Sequence, residues 1–97
     1  MGQEFNIRNT LDGVEGLNAI RIKPPDIVLL NLKMPRASGF WVLEQLKVHQ
    51  IVVPVVIVSY YEYDYVLEKT AGYKIDGFVL DNITVEKVRN VVMKILG

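Results

Sequence analysis

A chain of 97 residues can build one core and no second module, and an apolar share of 51% beside 23% charged residues excludes a disordered tail. Lys and Arg number 11 and Asp and Glu number 11, spread without runs, so neither direct nucleic-acid binding nor attraction to an acidic membrane is expected. There is no cysteine, which removes disulfides and thiolate metal sites. The longest apolar run, 51–58, contains Pro54 and is too short to span a bilayer, and Glu4 and Arg8 interrupt any signal-like stretch. The expectation is one cytoplasmic domain over residues 1–97.

In chain order, the segment 5–10 alternates apolar Phe5 and Ile7 with polar Asn6 and Arg8, the pattern of a half-exposed edge strand. Asp12 with Glu15 three residues later predicts the start of a helix, and Pro24 and Pro25 predict its end by withholding backbone donors and helical dihedrals. The run 27–30 does not alternate, as expected of a parallel strand covered on both faces. Ser38 caps a helix carrying Phe40, Leu43 and Leu46. Further unalternating runs follow at 55–58 and 78–80. Thr84 or Asn82 then opens a last helix with a stripe of Val85, Val88, Val92 and Ile95. Strand and helix alternate, which predicts an open, doubly wound parallel sheet with helices on both faces.

The stretch 25–40, with Pro25-Asp26, Met34-Pro35 and Gly39 around Asn31, resembles the phosphoacceptor segment of response-regulator receiver domains. Asp12-Gly13-Val14-Glu15-Gly16-Leu17 resembles that family's Asp-Gly-x-Glu-Ala-Leu, and Val58-Ser59, Ala71-Gly72 and Asp76-Gly77-Phe78 follow at matching spacing. The resemblance covers almost the whole chain and implies a flavodoxin-like fold, here truncated to about four strands, and two-component signalling.

The family's chemistry, by the same resemblance, needs an acidic pair for Mg²⁺, a nucleophilic Asp, a Ser or Thr on the phosphoryl oxygen and a Lys paired with it. Ser59 retains the hydroxyl. The nucleophile position holds Asn31, whose carboxamide has no ionised oxygen for attack. The family's aromatic-x-x-Lys-Pro aligns with Phe78-Val79-Leu80-Asp81-Asn82, so Asp81 stands for the lysine and Asn82 for the proline. A carboxylate there opposes a phosphoryl group by about 1 to 4 kcal/mol at a few ångström. The acidic pair belongs to a first strand that the opening segment does not match. No cofactor and no metal site are expected. A plainer reading has Asn31, Ser59 and Asp81 as strand-end polar groups that hydrogen-bond one another.

Receivers order their strands 2-1-3-4-5, and the opening segment aligns with the second strand, leaving the middle of the sheet to be accounted for. Either 5–10 slides in beside 27–30, or two chains share elements, or the chain is a fragment. A homodimer or an obligate partner is favoured, because loss of a helix would uncover sheet near the wide apolar face of the last helix. Trp41, Tyr60, Tyr61, Tyr63 and Tyr65 are candidate partner contacts, being large side chains with polar handles. Lys87, Asn90 and Phe78 join them by resemblance. His49 reads as a solvated helix-end residue.

The leading function is a degenerate receiver acting through phosphorylation-independent protein contacts and not as an enzyme. Alternatives are a decoy or phosphorelay component that binds a histidine kinase, and a small flavodoxin-like enzyme, for which no Gly-rich phosphate loop or catalytic set is present. The partner is a protein, such as a sensor kinase or another response regulator.

Overall fold

Parallel pairing organises the chain around four short strands. In the computed structural model, which describes residues 7–10, 12–33 and 38–97, the elements run β1 (Ile7–Thr10), α1 (Gly13–Ile22), β2 (Ile27–Asn31), α2 (Gly39–Val48), β3 (Val55–Val58), α3 (Tyr63–Thr70), β4 (Gly77–Val79) and α4 (Val85–Leu96). Glu4, Phe5, Asn6, Met34 and Pro35, on which parts of the sequence reading rest, lie outside the described residues.

The sheet order is β1-β2-β3-β4. Ile7 sits opposite Ile27, Val28 opposite Val55, and Ile57 opposite Phe78, all in parallel register. The opening strand therefore pairs directly with β2 within one chain, the first of the arrangements that the sequence left open. Crossovers of one hand that always step in the same direction must lie on one face. Accordingly Leu17 and Ile20 of α1, Leu46 of α2 and Val66 of α3 share a core with Val28, Leu30, Val55 and Ile57. The helix after the last strand folds back on the other face, where Val92 of α4 packs with Ile27, Val56 and Val79. Helices thus cover both faces, as expected, without any reversal of strand order.

Burial on both faces explains why the strand runs do not alternate: Ile27, Val28, Val56 and Ile57 are fully buried although neighbours point opposite ways. Each such side chain contributes about 1.5 to 3 kcal/mol relative to exposure. The caps fall where the sequence placed them. Asp12 accepts from the amides of Val14 and Glu15, Ser38 from that of Trp41, and Thr84 from that of Lys87. The first helix ends at Ile22, two residues before Pro24. His49 is the exposed C-cap of α2.

Two readings change. Tyr63 and Tyr65, read only as part of an aromatic cluster, lie in the first turn of α3. That helix gave no start signal because its N-cap is Glu62, whose side chain makes no capping bond. The stripe on α4 is also shifted. Val85, at the first helical position, is 85% exposed, while Val92 is buried and Val88, Val91, Ile95 and Leu96 pack beside it. Among the described residues, no helix is long and apolar enough to cross a membrane.

Candidate functional site

Parallel strands point their carboxyl ends the same way, so Asn31, Ser59 and Asp81 come to one edge of the sheet. Asp12 reaches that edge too, directly after β1, a placement invisible while it was read only as a cap. A close backbone approach sets the geometry there. Gly39, opening α2, donates its amide to the Leu32 carbonyl at 3.0 Å, and a Cβ at Gly39 would stand 2.5 Å from the Asn31 carbonyl oxygen.

The expected mutual hydrogen bonding of Asn31, Ser59 and Asp81 does not form. The Asn31 and Ser59 side chains are bound locally instead, and at Asp81 the bond falls on the backbone carbonyl and not on the carboxylate. The Asn31 Oδ1 accepts from the Lys33 amide at 3.1 Å, an Asx-type turn that holds the carboxamide at the strand end. Ser59 is buried; its Oγ accepts from the Tyr61 amide at 3.1 Å, and its amide donates to the Val79 carbonyl, extending the β3–β4 ladder. The Asp81 carbonyl accepts from Lys87 Nζ at 2.7 Å. Local bonds win because each partner is only a few residues away and costs little further ordering, whereas a bond across strand ends requires two side chains to be fixed toward each other.

This donor set does not fit a hard divalent cation. Among the described residues no three of His, Cys, Asp or Glu come together to hold a metal, and the amide oxygen of Asn31 already accepts a hydrogen bond. Asn82, where the resemblance has proline, adopts φ +50°. Proline is locked near −65°. The loop from β4 to α4 is therefore built on a backbone that the family's dipeptide cannot adopt.

Of the candidate contact residues, Tyr60, Tyr61 and Tyr63 line one groove with Leu80 and Asp81. Tyr63, Phe78, Asp81 and Lys87 line an adjoining one. Tyr65 is drawn away from both, with its ring edge-on to Tyr61 at 5.4 Å and to Phe40 at 6.4 Å. Trp41 on α2 and Asn90 on α4 are exposed but line neither groove. Glu62 and Asp64, which the sequence reading passed over, stand on the rim beside Tyr63.

A second cluster, also missed, lies at the opposite end of the sheet. Lys47 Nζ donates to the Gly72 carbonyl at 3.3 Å and sits 5.5 Å from the centre of the Tyr73 ring, while the Tyr73 hydroxyl donates to Glu44 at 3.1 Å. Partial burial and the Glu44 carboxylate push the Tyr73 phenol above its ordinary value. These residues lie 29 and 25 positions apart in the chain, so no local sequence signal could join them.

A parallel sheet with helices on both faces and its polar strand ends at one edge defines a flavodoxin-like α/β domain. Solved structures agree: a LuxR-family DNA-binding response regulator from Staphylococcus aureus superposes with TM-score 0.79 at 23% identity, covering 89% of this chain and 72% of that one. The receiver domain of the putative response regulator NarL from Mycobacterium tuberculosis does so with TM-score 0.74 at 23% identity, covering 86% and 67%. At such identity these likenesses speak for the fold. The sequence pattern of the response regulator receiver domain matches residues 2–93, and the chain belongs to that family, whose members serve two-component signalling. Among curated relatives, the cell cycle response regulator CtrA of Brucella ovis is 35% identical over 57 residues, 59% of this chain and 25% of its own length. The same figures hold for CtrA of Brucella abortus. The matched stretch thus spans about a quarter of those relatives. Receiver domains interact with proteins such as kinases and other regulators.

Proposed function

We propose that this receiver domain signals without phosphorylation, through protein contacts made at the carboxyl edge of its sheet. The observation that carries this reading is the strand-end pair of Asn31 and Asp81. Asn31 offers a carboxamide already engaged with the Lys33 amide, and Asp81 places a carboxylate where the resemblance has a cationic partner for phosphate. Ser59 does not bear on the choice, since its Oγ only accepts from the Tyr61 amide and its hydroxyl hydrogen stays available. The domain then works as a binding module in the cytoplasm and not as an enzyme.

The test is incubation with radiolabelled acetyl phosphate or a phosphorylated sensor kinase, followed by mapping of label. No covalent label on the 27–33 segment is expected; label there would overturn the proposal. Capture of the kinase without transfer would narrow the role to a decoy.

A homodimer belongs to the same proposal. Val88, Val91 and Ile95 are only partly covered, and Met93 is 48% exposed on the same helix. Sedimentation equilibrium over a concentration series should show dimer, and monomer throughout would remove that element.

A further inference from the structure

We propose that the tyrosine-rimmed groove beside Asp81 docks a basic, arginine-bearing peptide segment of the partner, an inference that rests on the protein-contact reading above.

Packing within the chain divides the aromatic cluster. Tyr61 and Tyr65 are tied into the edge-on stack with Phe40, whereas Tyr60 is 80% exposed and Tyr63 58% exposed, and neither has a ring partner among the described residues. Between them opens a groove of about 480 Å³, running past Leu80 and Asp81. It adjoins one of about 270 Å³ whose wall includes Phe78 and Val91. Large apolar rings left in water beside a concave apolar floor are the surface pattern of a contact site.

Charge then selects the occupant. Glu62, Asp64 and Asp81 are all exposed at the groove, and none of them forms an ion pair among the described residues. Lys87, which lines the adjoining groove, donates its ammonium to the Asp81 backbone carbonyl and not to a carboxylate. Three carboxylates thus face one ammonium, and the rim keeps an excess of negative charge on a chain whose formal net charge is zero. Anionic ligands such as phosphate or nucleic acid are repelled. A guanidinium satisfies both features at once, because its plane stacks on a tyrosine face while its N–H fork binds a carboxylate. An apolar residue alternating with arginine would meet the Leu80 and Phe78 floor.

The experiment follows amide shifts of the isotope-labelled chain during titration with a synthetic peptide of alternating arginine and leucine at physiological salt, with a glutamate–leucine peptide as counterpart. Saturable shifts confined to residues 60–65 and 78–87 are expected with the basic peptide only. Tyr63→Ala, and Asp64→Asn combined with Asp81→Asn, should each weaken binding by at least about fivefold. Glu15→Gln, on α1, should leave it unchanged. All these side chains are exposed, so the variants keep their cores, and retained shift dispersion checks this. Absence of saturation, equal response to both peptides, or equal weakening by Glu15→Gln would overturn the proposal. So would concentration-dependent shifts at the same residues without peptide, which would place a second copy in the groove. Phosphoryl labelling of the same samples separates the two readings. A labelled chain defeats the phosphorylation-independent function whatever the peptide does, and an unlabelled chain indifferent to the peptide defeats only the basic-segment inference.

Discussion

Lys87, in the first turn of α4, reaches back with its ammonium group to the backbone carbonyl of Asp81, 2.7 Å away, and forms no ion pair with that residue's carboxylate. The contact ties the start of α4 to the end of β4. It also leaves a negative charge exposed at the sheet edge, where the resemblance to receivers would place a positive one. Both the proposed loss of phosphoryl chemistry and the proposed taste for basic segments follow from that charge.

Restoring the nucleophile alone should therefore fail. Asn31→Asp supplies an ionised oxygen, but Asp81 still opposes an incoming phosphoryl group by about 1 to 4 kcal/mol. Adding Asp81→Lys turns repulsion into attraction of similar size. With each 1.4 kcal/mol worth tenfold, the double variant is expected to incorporate label from acetyl phosphate at least about tenfold more than Asn31→Asp. Equal labelling of the two variants would show that the Asp81 charge is not felt at Asn31.

Gly77 and Gly39 hold helices close to the sheet. A Cβ at Gly77 would stand 2.7 Å from Val91 Cγ1 and 3.3 Å from Ile95 Cδ1, so Gly77→Ala should push α4 off β4 and cost about 1 to 3 kcal/mol. The obstacle is a side chain, and Val91→Ala in the same chain should recover part of the loss. At Gly39 the obstacles are the Asn31 carbonyl oxygen and the Leu32 Cα, at 2.5 and 2.8 Å. Backbone cannot be trimmed, so Gly39→Ala should cost more than Gly77→Ala. Urea unfolding of the parent and these three variants measures the order.

Asn82, with φ +50°, should tolerate glycine and reject proline. Asn82→Pro would rebuild the loop entering α4 at a cost of roughly 1 to 3 kcal/mol, and Asn82→Gly should stay within a few tenths. If the proline variant were as stable as the parent, the left-handed turn would not be a fixed feature of the fold.

At the other end of the sheet, the Tyr73 phenol is raised by partial burial and by its hydrogen bond to Glu44. A raised phenol favours its protonated form in the folded state. Its stabilising share is complete below about pH 10, the unfolded value, and disappears as pH rises through the higher folded value. The stability difference between parent and Tyr73→Phe should thus be flat below about pH 10 and shrink above it. A difference that stays constant into the alkaline range would show the Glu44 contact to be absent in solution.

Sequence alone settled which segments become strands, because Ile27, Val28, Val56 and Ile57 form unbroken apolar runs that only a sheet covered on both sides can bury. It settled the helix starts at Asp12 and Ser38 and narrowed a third to Thr84 or Asn82, because such caps bind amides two or three residues away and need no tertiary help. It also determined what Asn31 and Asp81 are chemically. It missed the start of α3, since Glu62 carries no capping signal and the helix relies on burying Val66 and Thr70. Whether β1 joins β2 in the same chain was decided only by the tertiary structure, because register depends on which faces are covered and not on a local preference. Tertiary structure likewise divided the tyrosines into stacked and free, sent Asn31 and Ser59 to neighbouring amides instead of to each other, and joined Lys47, Glu44 and Tyr73 across distant segments. Local bonds and apolar periodicity are written along the chain at short range. Contacts between elements arise only once burial has fixed which faces meet, and the residues that form this edge and its groove belong to that second kind.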